Sequence, residues 1–218
     1  MSAPGSVPSP GDAGSKEHPE AAAEVRNRPR TSDAGRFRLS TRMLLTCAAL
    51  GVAGAILLAP ANWLSAVLLG LGNPLFSMVI TGLWVLPSVV ALRLLRRPLV
   101  GILVGLISGL VIVPFSGFGF MSVVSNVSWA LFAELPFLLV WWRHWHTWQH
   151  YAGAAALGLV YPVTAWAFFD MGTQPLWSQV LFFVLTLASC VGATALGILV
   201  ADRLRRAGVG GRMPGARA

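Results

Sequence analysis

Charge is scarce in this chain, and lysine is all but absent. Only 11% of the 218 residues are charged, and the single lysine, Lys16, lies in a polar stretch near the N-terminus. No Gly-rich loop ends in Lys followed by Ser or Thr, which excludes a phosphate-cradling nucleotide site and any ATPase activity of the chain's own. The two cysteines, Cys47 and Cys190, sit in separate apolar segments without metal-ligand spacing. That argues against a zinc site or a disulfide framework and leaves them as small buried hydrophobes. No nucleophile, metal triad or paired acid stands within the apolar segments, so neither an enzyme nor a cofactor is indicated.

What is present is apolar. Hydrophobic residues make up 56% of the chain, with nine Trp, eleven Phe and a mean hydropathy of +0.69, a composition that places it in a membrane with several spans. The net charge of +8 does not point to nucleic acid. Nearly all the basic residues lie in the two tails and two short turns, where arginines act as topology signals and touch anionic headgroups.

Residues 1–40 are rich in Pro, Gly, Ala and Ser without apolar periodicity, and read as a disordered cytoplasmic tail. Residues 41–203 form a six-helix membrane domain, and 204–218 a basic cytoplasmic tail. The fold class is an all-α integral membrane protein with spans at 42–60, 75–95, 98–114, 119–142, 151–170 and 176–201. The run 43–58 followed by Ala59, Pro60 and Ala61 imitates a leader with a cleavage site, but with further spans behind it reads as a retained first helix. Residues 61–73 are too few to span and are expected to lie at the interface or re-enter it.

Arg42 precedes span one, Arg93, Arg96 and Arg97 follow span two, Arg143 follows span four, and Arg203, Arg205 and Arg206 follow span six. The opposite connections carry no Lys or Arg, so both termini are predicted to face the cytoplasm. His144, His146 and His150 come closest to a metal cluster, but they stand among Trp145 and Trp148 at the cytoplasmic edge and read as interfacial packing.

One ionisable residue lies deep in this apolar stretch. Glu134 is about fifteen residues, roughly 22 Å of helical rise, from the outer end of span four. A carboxylate there costs on the order of 2.5 to 3.5 kcal/mol and must face a cavity, a partner charge or a ligand; the structural alternative is a protonated or hydrogen-bonded glutamate. Ser122, Asn126 and Trp129 share a side of the same helix, a polar stripe with an aromatic wall. Pro87, Pro136 and Pro162 free the carbonyls of Leu83, Phe132 and Gly158, and three kinked helices make room for a ligand.

Gly82-Leu83-Trp84-Val85-Leu86-Pro87, then Arg96-Arg97-Pro98, then Ala133-Glu134-Leu135-Pro136-Phe137 resembles, in order and spacing, the YkoE-type substrate-binding subunit, or S component, of energy-coupling factor (ECF) vitamin transporters. The resemblance covers about a third of the chain at motif level. It implies a six-helix S-component bundle in the bacterial cytoplasmic membrane, with a binding cavity toward the outside under the loop between helices one and two. It also implies capture of thiamine or its hydroxymethylpyrimidine precursor, and partnership with a transmembrane coupling subunit and ATPase subunits.

On that reading Glu134 pairs with an aminopyrimidine, and Asn126 fixes its orientation. Trp84, Trp129, Trp63 and Trp166 offer stacking faces, with Tyr161 adding a hydroxyl. S components present small residues of helix one to the coupling subunit, and Ala49 and Ala53 form such a face, although packing within the bundle accounts for it as well. The competing expectation is a stand-alone proton-coupled carrier of a small heterocyclic or cationic solute in which Glu134 titrates.

Overall fold

In hydrocarbon no water bonds the backbone, so an apolar run must satisfy its own N–H and C=O groups, and each run here becomes a helix. A computed structural model of the protein describes residues 41–70 and 74–209. The tail 1–40 and the end of the basic tail, 210–218, lie outside the described residues. Six helices follow in order: α1 (Thr41–Gly70), α2 (Pro74–Leu95), α3 (Val100–Ile112), α4 (Met121–Leu139), α5 (Thr147–Ala165) and α6 (Leu176–Arg206). The described residues contain no strand. Four of the helices, α1, α2, α4 and α6, are long and apolar enough to cross a membrane by length and composition.

α1 departs from expectation. Residues 61–70, read from the sequence as an interfacial piece, continue the first helix without interruption through Pro60. Pro60 forfeits one hydrogen bond inside the run, and the Ala and Leu residues that follow are strong helix formers. The 30 residues make a rod of about 45 Å, well beyond a hydrocarbon core of about 30 Å.

Other ends shift for local reasons. α3 begins at Val100, after Arg96 and Leu99 take left-handed conformations on either side of Pro98, and runs on as a 3-10 turn over Val113–Phe115. α5 starts earlier than predicted because His146 and Gln149 form a capping box, with the His146 N–H donating to Gln149 Oε1 at 2.8 Å.

α2 is the most enclosed span, with 67% of its apolar window buried against 33% for α1 and α6. Val85, Val89 and Leu92 on α2 pack with Trp129, Ala133 and Phe137 of α4, Ala154 and Leu157 of α5, and Cys190 and Ile198 of α6. A second cluster joins Met43 and Cys47 of α1 to Ala91, Val100 and Val104. Lipid is as apolar as these side chains, so close packing between helices has to supply the association. Small residues permit it: a methyl group added at Gly105 of α3 would stand 2.5 Å from the Ala130 Cβ of α4.

The basic turns gather at one end. Arg93 at the close of α2 forms a two-pronged ion pair with Asp202 of α6 (Nε to Oδ1 3.1 Å, Nη2 to Oδ2 3.3 Å) and donates to Thr147 Oγ1 of α5 at 3.2 Å. Arg205 donates to the Arg93 carbonyl. The start of α1 packs beside the start of α3 at this same end.

Candidate functional site

The opposite end of the bundle, where α1, α3 and α5 finish and α2 and α4 begin, is hollow. A cavity of about 450 Å³ opens there, lined from α1 by Asn62 and Ser65, from α2 by Ser77, Thr81 and Trp84, from α4 by Ser122, Ser125, Asn126 and Trp129, and from α5 by Tyr161 and Thr164. Exposed Phe118, Met121 and Phe168 also line it, at its open side.

Its wall is aromatic. Trp129 and Tyr161 lie with ring centroids 4.8 Å apart, and Trp84 adds a third face 6.4 Å from Trp129. Hydrogen bonds within the helices fix these groups: Trp129 Nε1 donates to Ser125 Oγ at 3.2 Å, and Asn126 Nδ2 donates to the Ser122 carbonyl at 2.8 Å. Such a wall with a few polar groups suits a flat, partly polar small molecule, and the volume falls in the range of ligand pockets.

The shape of α2 feeds this site. Between its α-helical parts, Pro74–Ile80 and Leu86–Leu95, the chain tightens into a 3-10 turn over Thr81–Trp84. Pro87 at the start of the second part lacks an N–H, and ahead of it Ser189 of α6 bridges the ladder where the 3-10 turn interrupts it. The Ser189 hydroxyl accepts from the Gly82 N–H at 2.9 Å and donates to the Val79 carbonyl at 2.6 Å. The turn carries Thr81 and Trp84 to the cavity.

Of the residues singled out in the sequence, the structure brings Trp84, Asn126, Trp129 and Tyr161 together around this cavity. It does not bring Glu134, Trp63 or Trp166 there. Trp63 is 74% exposed on the outer side of α1, and Trp166 packs on Phe183, their centroids 6.0 Å apart. Glu134 is buried nearer the arginine-rich end, where its carboxylate caps α3: Oε1 accepts from the Leu99 N–H, Oε2 from the Ile102 N–H at 3.1 Å, and Trp142 Nε1 donates to Oε1 at 3.3 Å. A helix N-terminus leaves N–H groups unbonded and carries partial positive charge, so the anion and the helix end compensate each other.

The sequence reading missed Asn62 and Ser65, which sit on the unforeseen extension of α1, and Ser77 and Thr81, whose spacing of four in an apolar span is a readable polar stripe.

Residues 42–160, more than half of the chain, match the family model of the permease component of ABC-type cobalt transport systems. The chain belongs to this family. It is therefore a multi-pass component of a membrane transport system and not an enzyme. A crystal structure of an S-component of an ECF transporter matches with a TM-score of 0.72 over 80% of this chain and 90% of that one. At 21% identity this likeness is one of fold: the six helices form an S-component bundle. No curated protein sequence matches this one.

Proposed function

We propose that this protein is the substrate-binding S component of an ECF-type transporter and captures thiamine or its hydroxymethylpyrimidine precursor from outside the cell. The observation that carries the proposal is the Trp84, Trp129 and Tyr161 wall of a 450 Å³ cavity at the end of the bundle without arginines. By the positive-inside rule that end faces outward. Aromatic faces stack on a pyrimidine ring and attract a thiazolium cation, while the amide and hydroxyl groups around them meet the ring's polar edge.

The cobalt in the family's description does not suit this cavity as cargo. A borderline divalent metal is held by imidazole, thiolate or carboxylate, and the lining offers hydroxyls, amides and rings. With no nucleotide-binding loop of its own, the chain would draw its energy from a transmembrane coupling subunit and cytoplasmic ATPase subunits. The engagement of Glu134 by two main-chain N–H groups favours this role over a proton-coupled carrier, which would have to release that carboxylate in each cycle.

The test is titration of the detergent-purified protein with thiamine and with hydroxymethylpyrimidine, following tryptophan fluorescence. Saturable quenching is expected in the wild type. Trp129→Leu should weaken binding by roughly five- to hundredfold, the worth of one stacked base. A wild type that responds to neither compound would overturn the ligand assignment.

A further inference from the structure

Asn62 stands apart among the cavity's polar groups. Four of the others donate within the protein: Thr81 Oγ1 to the Ser77 carbonyl at 3.0 Å, Ser122 Oγ to Ser116 Oγ at 2.6 Å, Asn126 to the Ser122 carbonyl, and Thr164 Oγ1 to the Tyr161 carbonyl at 2.9 Å. The Asn62 amide nitrogen is buried and has no hydrogen-bond partner among the described residues. The other side-chain atoms in that condition belong to Gln149, His150 and Thr194, none of which lines the cavity.

A buried donor without a partner costs its full desolvation, and native structures seldom keep one that no water or ligand completes. The terminal amide of an asparagine turns in a broad, two-fold torsional well. Turning about that bond re-aims the nitrogen with α1 unmoved, and Asn62 itself lines the cavity.

The position of Asn62 gives this unused donor a direction. It lies on α1 just past Pro60, whereas Trp129 and Tyr161 belong to α4 and α5, so a ring stacked on Trp129 can turn an edge toward α1. We infer that Asn62 determines specificity: its amide N–H donates to an acceptor, a ring nitrogen or hydroxyl oxygen, on the edge of a flat heterocycle lying against Trp129. This deepens the reading of the cavity as a pyrimidine site and rests on it. It restricts the substrate class to planar heterocycles bearing an edge acceptor, and disfavours purely apolar rings of the same size.

The experiment compares wild type, Asn62→Leu and Asn62→Asp, each titrated with hydroxymethylpyrimidine and each melted without ligand. Leu keeps the shape and removes the donor; Asp keeps the size and replaces the donor with an acceptor. Both should bind about tenfold more weakly or worse. Ligand-free Asn62→Leu should melt no lower than wild type, because the amide nitrogen has no hydrogen bond to lose.

Equal affinity of wild type and both variants would overturn the inference. So would a lower melting temperature of ligand-free Asn62→Leu, which would mean that the amide is already engaged. If the wild type binds neither hydroxymethylpyrimidine nor thiamine, the pyrimidine reading fails and takes the edge contact with it. In that case the melting comparison still decides separately whether Asn62 holds an unused donor.

Discussion

Glu134 shows how far a single residue can be read. Its apolar surroundings announce that a buried carboxylate needs compensation, but the sequence does not say what compensates it. The partners are main-chain N–H groups of Leu99 and Ile102, residues whose side chains carry nothing polar, so no pattern in the sequence could have named them. Trp142 supplies a third donor from the turn after α4. The consequence is testable. Glu134→Gln removes the charge and turns one acceptor oxygen into a donor facing other donors, and should destabilise the protein by about 1 to 3 kcal/mol. Because the carboxylate lies outside the cavity lining, affinity for hydroxymethylpyrimidine should stay within about twofold, far less than the tenfold that 1.4 kcal/mol would produce. Thermal unfolding in detergent and a fluorescence titration check the two halves. A variant that melts like wild type yet binds much more weakly would move Glu134 into the site.

At the scale of elements, hydropathy located all six helices, since long apolar runs have few alternatives in a bilayer. It was less informative about their ends and breaks. The end of α1 was missed because residues 61–73 are too few to span by themselves, although such a piece can prolong a helix begun earlier. Pro87 marked a break in α2, yet the residue that bridges the 3-10 turn just before it, Ser189, is more than a hundred positions away on α6. Gly82 makes that meeting possible. A Cβ added there would stand 2.1 Å from the Ser189 carbonyl oxygen and 2.9 Å from Ala193 Cβ, and the oxygen belongs to a helix backbone that cannot swing aside. Gly82→Ala should therefore force α2 and α6 apart and cost about 1 to 3 kcal/mol or more. Since Thr81 and Trp84 reach the cavity from the same turn, the variant should also bind hydroxymethylpyrimidine more weakly than wild type. Melting and titration side by side measure both effects, and wild-type behaviour in both would contradict so close an approach.

For the molecule as a whole, the arginines drew the main axis correctly from sequence alone: the basic turns meet at one end and the cavity opens at the other. Which way each side of α1 looks was not legible, because 30 residues dominated by Ala, Gly and Leu carry little amphipathic contrast. The structure divides its small residues into two faces. Gly51 and Gly54 turn inward, where an added methyl group would stand 2.6 Å from Ile107 Cγ2 and 2.8 Å from Pro87 Cβ, respectively. Ala49 and Ala53 turn outward beside exposed Val52 and Ile56, and make a shallow strip that another helix can approach closely. If that strip receives the transmembrane coupling subunit, Ala53→Trp should fold and bind hydroxymethylpyrimidine as wild type does, because nothing inside the bundle is disturbed. ATP-driven uptake by the reconstituted complex should nevertheless fall about tenfold or more, as expected when a bulky side chain is forced into a packed contact. Gly54→Leu is the contrasting variant, since it presses on Pro87 and should lower the melting temperature before any partner is present. Full uptake by Ala53→Trp in proteoliposomes would mean that the coupling subunit meets another face, and would leave Ala49 and Ala53 facing lipid.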